Sequence, residues 1–178
     1  MDPERFARGL PRLFDGYPRS DRPRDRRFAP ILAEVGGLAR ENNLTLLNLA
    51  ASLLDEGESY VEVGSFKGLR LIAAMLGNAS DFVGIDDFSM GEGGRELLEV
   101  NYDAAHDYES QVESLRLVEP YLAEGALLIV DDTDWEQVAR AIRDYLAGQP
   151  RAELLVELVG KDHGQPWWWE GVQVFRWR

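Results

Sequence analysis

YVEVGSFKGLRLIAAMLGNASDFVGIDDFS, residues 60 to 89, is the stretch on which the reading of the fold turns. Tyr60 to Val63 is a short apolar run of the kind a buried strand shows, and Phe82 to Ile85 is a second. Between them Leu69, Ile72, Ala73 and Leu76 recur at helical spacing, and Gly77-Asn78 is a stop signal, so a helix is expected from Gly68 to Leu76. The link from first strand to helix is Glu62-Val63-Gly64-Ser65-Phe66-Lys67-Gly68. Two glycines there let the backbone turn tightly and approach a ligand, and the start of the following helix offers N–H groups to an anion. The spacing is E-x-G-x-x-x-G rather than the G-x-G-x-x-G of dinucleotide sites, which argues against a nicotinamide cofactor. Asp86 and Asp87 close the second strand, where a carboxylate can accept both hydroxyls of a ribose. Many α/β folds need glycines at such a turn for the chain path alone; the acid twenty residues on favours a ligand.

Outward from this stretch the alternation continues. Phe28 to Leu54 is periodic with Leu32, Val35, Leu38, Leu44 and Leu47, interrupted at Gly36-Gly37 and Asn42-Asn43, so one helix or two fit equally. Leu97 to Tyr102 reads as a strand, Tyr108 to Leu122 as a helix, and Ala126 to Val130 as a central strand, all apolar as parallel strands covered on both faces are. Trp135 to Ala147 reads as a helix capped by Asp134. Leu154 to Val159 and Val172 to Trp177 are late strands joined by GKDHGQPWWWEG, too long for a tight hairpin. The expected fold class is α/β, one mostly parallel sheet with a late antiparallel edge or inserted strand. Ligands in such sheets sit at the carboxyl ends of the strands.

A chain of 178 residues with 45% apolar content suits one α/β domain, residues 28 to 178, preceded by an Arg-rich arm, residues 1 to 27. Met1 to Pro30 carries eight Arg against five Asp or Glu on a chain of net charge −13. The arm reads either as a solvated lead-in or as a segment that folds onto the acidic body or a second subunit; with Phe28 to Leu54 it could serve a homodimer. So acidic a protein repels a phosphate backbone, so nucleic acid is not an expected partner. No apolar run is long enough for a signal peptide or a membrane span, and there is no cysteine. A cytoplasmic location without a membrane partner is the expectation.

A second acidic group follows two other expected strands. Asp103 comes after one, and Asp131 and Asp132 after the next, so three carboxylates should converge at neighbouring strand ends. Hard oxygen ligands suit Mg²⁺, and a cation would offset the like charges. Helix capping and solvated charge account for the same residues without a metal. His106, three residues after Asp103, is a candidate base or a loop histidine bonded to a neighbour. Of Trp167, Trp168 and Trp169 at least one should face a cleft or a partner, because three adjacent indoles cannot all point inward.

YVEVGSFKG with the acid of GIDD resembles the class I S-adenosylmethionine-dependent methyltransferases. NLAASLL, AHDYES and VDDTDW, with the Trp-rich loop, are similar to their cation-dependent small-molecule O-methyltransferase branch. The resemblance implies a Rossmann-like sheet. It assigns Glu62, Gly64, Ser65 and Gly68 to the methionine part of S-adenosylmethionine, and Asp86, with Asp87 as its rival, to the ribose. It also implies Asp103, Asp131 and Asp132 as ligands of Mg²⁺ or a similar ion, and His106 as the base on a small-molecule acceptor. Only Ser89 to Glu96 separates the second strand from the next, where the family has a further strand and helices. Eight residues cover about 28 Å extended and about 12 Å as a helix, too little for a crossover helix. The sheet is therefore expected to lack its edge strand three, and the adenine pocket to suffer. Two function classes follow: a small-molecule methyltransferase, or a non-catalytic binding or scaffold relative that keeps the turn.

Overall fold

The computed structural model describes residues 1–20, 22–86, 107–162 and 165–178. They fall into two compact units, one of Met1–Asp87 with Lys161–Trp169, the other of Phe88–Gly160 with Glu170–Arg178.

In the first unit the long periodic stretch forms two helices rather than one. Helix α2, Phe28–Val35, stops at Gly36, whose φ of 66° suits glycine, and α3, Glu41–Ser52, starts afresh. Asn42-Asn43 does not interrupt α3 but forms its first turn, with Asn43 Oδ1 accepting the Arg40 N–H at 3.3 Å. Ten of the twelve residues of α3 are buried, so its polar side chains must bond inward. Asn42 donates to the Ser20 carbonyl at 2.5 Å, and Glu41 is held by Arg26 at 2.8 Å. Asn48 donates to the Ala73 and Leu76 carbonyls, at 2.8 and 2.9 Å, at the end of α4, Leu69–Met75. Phe28, Ala39, Leu44, Leu69 and Ala73 make the core beneath.

The Arg-rich lead-in is not simply solvated. Its α1, Pro3–Gly9, starts at Asp2, which accepts the Arg5 N–H at 2.9 Å, and Phe6, Leu10 and Phe14 are buried. Phe14 meets Trp168 edge-on at 5.2 Å, and the Trp168 indole N–H donates to the Pro18 carbonyl at 2.8 Å. Trp168 is therefore core, while Trp169 carries the Arg40 guanidinium over its ring at 5.6 Å.

Strands β1, Ser59–Val63, and β2, Asp81–Ile85, pair in parallel with Val61 opposite Val83 and Val63 opposite Ile85. In the second unit β3, Leu127–Asp131, and β4, Ala152–Leu158, both pair with Val172–Trp177, which lies between them and antiparallel to each. The expected single, mostly parallel Rossmann-like sheet is thus corrected. Among the described residues the strands make a two-stranded parallel pair, a three-stranded antiparallel sheet and a two-residue hairpin. The apolar run in β3 reports partial burial and says nothing of the direction of its neighbour. The strand expected at Leu97 to Tyr102 and the absence of an edge strand three both concern a stretch outside the described residues. Among those residues no helix is long and apolar enough to cross a membrane.

The antiparallel sheet is covered by α5, Tyr108–Val118, and α6, Glu136–Ala147, through Leu115, Val138, Ile142 and Phe175. Asp107 caps α5, accepting the Ser110 N–H at 2.8 Å. Tyr145 on α6 donates to Glu119 at 3.1 Å, and burial followed by that bond pushes its phenol up to about 12. The folded protein therefore keeps this proton where an unfolded tyrosine, near 10, has lost it. Its stabilising effect is complete below pH 10 and disappears as pH rises through 12. The stability gap between wild type and Tyr145→Phe, about 1 kcal/mol at pH 8, should narrow above pH 10 in urea titrations; a gap unchanged to pH 12 would contradict this.

Candidate functional site

Five of the nominated residues meet at the carboxyl end of the parallel pair. The Gly64 N–H donates to the Ile85 carbonyl at 2.8 Å, the last rung between β1 and β2. There the chain leaves the strand with Gly64 at φ 81° and closes a turn through the Gly68 N–H to the Ser65 carbonyl at 2.7 Å, Gly68 having φ 77°. A side chain at either glycine would be strained, which is why the sequence places glycine at both. Among the described residues a Cβ on Gly64 would meet nothing within 4 Å, so that side of the turn has room.

Asp86, one residue past β2, fixes the loop. Its Oδ2 accepts the Phe66 N–H at 2.6 Å, across twenty residues of sequence, and Phe66 is held at φ 48°. Glu62 is 7% exposed on β1; it accepts the Tyr60 hydroxyl proton at 3.2 Å and pairs with Arg70 at 3.7 Å. Arg70 also donates to the Gly64 carbonyl at 2.9 Å, so one guanidinium ties the strand carboxylate to the turn. The Ser65 hydroxyl oxygen is buried without a hydrogen-bond partner among the described residues. It stands above Gly84, where a Cβ would come within 2.8 Å of it.

Asp131 and Asp132 adjoin each other at the end of β3, in the second unit. Asp131 lies opposite Val172, and Asp132 follows at φ 56°, 9% exposed. The next residues are bound into the fold: the Asp134 N–H donates to the Glu170 carbonyl at 2.8 Å, and its Oδ2 accepts the Gly160 N–H at 2.7 Å. Asp134 is not the cap of α6; that position is Trp135, whose N–H reaches the Asp132 carbonyl at 3.1 Å. Asp87, Asp103 and His106 lie outside the described residues. Among the described residues no group of three or more His, Asp or Glu could hold a metal ion. The two aspartates alone do not make a cation site.

No protein-family model matches the sequence, and no curated protein resembles it at a significant level. The functional reading thus rests on the geometry of the turn. Arg70 was not singled out by the sequence reading, although it is the one charge in LRLIAAM and sits two residues after the second glycine.

Proposed function

We propose that the Gly64–Gly68 turn binds S-adenosylmethionine, and that the protein is a methyltransferase acting on an oxygen of a small metabolite or natural product. What supports this reading is local, the turn and its acid, and not the arrangement of the sheet. The observation that carries it is the buried Ser65 hydroxyl, which among the described residues has no partner and lies in a turn with no neighbour within 4 Å of a Cβ placed on Gly64. A buried polar group left without a bond costs about 1–3 kcal/mol, so its retention fits a ligand that satisfies it.

The bound cofactor supplies an electrophilic methyl group on a sulfonium centre. The chain's own part is to bind and orient it. Gly64 and Gly68 let the backbone run close to the ligand, Ser65 offers a hydroxyl to its methionine end, and Arg70 holds Glu62 and the Gly64 carbonyl in register. Asp86 is the ribose partner and, through Phe66, fixes the loop. His106 as the base, a Mg²⁺ ion at Asp103, Asp131 and Asp132, and a cytoplasmic setting belong to the same reading.

Calorimetric titration with S-adenosylhomocysteine, with and without Mg²⁺, tests it. Micromolar binding is expected, and Ser65→Ala should weaken it roughly tenfold, about one hydrogen bond. If a folded protein gives neither heat nor thermal stabilisation, the methyltransferase reading fails and the chain is a non-catalytic scaffold.

A further inference from the structure

At the far end of α4 from the Gly64–Gly68 turn, about 10 Å away for a seven-residue helix, the first unit carries a cleft of about 310 Å³. Its lining joins the partly exposed side chains of Leu13, Leu49 and Leu76 to three arginines, Arg12, Arg24 and Arg27. The Arg24 and Arg27 side chains are 60% and 48% exposed, so these two cations stand where the cleft opens to water.

Two of the cations are already held. Arg24 pairs with Asp15 at 2.7 Å, and Arg27 pairs with Asp25 at 2.8 Å and donates to Asn48 Oδ1 at 3.3 Å. Arg12 has no carboxylate partner among the described residues, so their charges around the cleft, three arginines against Asp15 and Asp25, leave one positive charge in excess. The end of α4 would ordinarily repel an anion through its free carbonyls. Here they are covered: the Asn48 side-chain amide donates to the Ala73 and Leu76 carbonyls, and that of Asn78 to the Ala74 carbonyl at 2.7 Å.

The geometry points to a binding site for a small organic anion, a phosphate monoester or carboxylate carried on an apolar body. Its oxygens would lie against Arg12, with Arg24 and Arg27 lining the same cleft; the planar fork of a guanidinium matches both oxyanions. Its body would lie against Leu13, Leu49 and Leu76. The volume is at the lower limit of small-molecule pockets and suits a single ring with its charged group. The site stands whether or not the turn at Gly64 binds a cofactor.

The test is calorimetric titration of the full chain with phenyl phosphate, benzoate, inorganic phosphate and uncharged benzyl alcohol, at low and at physiological ionic strength. Saturable binding is expected for phenyl phosphate or benzoate, and the preferred one names the anionic group. Inorganic phosphate, lacking the body, should bind more weakly, and benzyl alcohol not at all. Arg12→Gln should weaken the preferred ligand about tenfold or more, and Arg24→Gln, a second variant, should weaken it too. Arg5→Gln, outside the cleft, should leave binding unchanged. The proposal is overturned by absence of saturable binding, by equal binding of benzyl alcohol, by indifference to both cleft variants, or by an equal loss in Arg5→Gln.

Discussion

Gly171→Ala should lower the stability of the protein by about 3 kcal/mol, the largest loss expected from any single methyl group here. Gly171 has φ 92°, where an L side chain is strained by roughly 1–2 kcal/mol. A Cβ there would fall 2.6 Å from Asp134 Oδ1, 2.8 Å from its Cγ and 2.8 Å from the Thr133 hydroxyl. The carboxylate has little room to yield, because its other oxygen holds the Gly160 N–H at 2.7 Å and its own N–H is bound to Glu170. Strain and overlap therefore add, and the melting temperature should fall by roughly 10 °C. A loss below about 1 kcal/mol in denaturant titration would show that the corner relaxes and that the contact is not fixed.

Asp86→Ala should weaken S-adenosylhomocysteine about 100-fold, equivalent to about 2.7 kcal/mol. Two effects combine, loss of the carboxylate expected to hold the ribose and loss of the bond that fixes the Phe66 N–H at 2.6 Å. A charge-assisted bond of this kind contributes about 1.5–3 kcal/mol. Amide exchange at Phe66 separates them. It should accelerate in Asp86→Ala and stay slower in Asp86→Asn, whose side-chain oxygen can still accept that proton while the charge is lost. Affinity unchanged in Asp86→Ala, with Phe66 exchange accelerated, would leave Asp86 a purely structural residue.

The turn was legible in the sequence because its signals are steric and local. Gly64 and Gly68 have the positive φ that only glycine takes cheaply, and the strands at Tyr60 and Phe82 lie where the apolar runs put them. Strand pairing was not legible, since Ala126 to Val130 reads the same beside a parallel or an antiparallel neighbour, and here its partner is the strand at Val172. The lead-in stays ambiguous in the sequence for a different reason. Phe6, Leu10 and Phe14 recur every four residues, a helical apolar stripe, but the eight arginines around them dominate the composition. The carboxylate of Asp134 illustrates the limit of short-range rules: the sequence places it to cap the next helix, whereas the fold uses it twenty-six residues away.

Each compact unit is assembled from two separate lengths of chain, and this has a consequence for biosynthesis. A nascent polypeptide that has reached residue 160 has made β3 and β4 but not the strand at 172–177 that joins them. It also lacks Trp168, against which Phe14 packs. Neither unit can therefore be completed before its late segment, 161–169 or 170–178, has been synthesised. Closure of such long loops is slow, and the interval leaves unfinished strand edges exposed, so this protein is expected to depend on chaperones more than its length alone suggests.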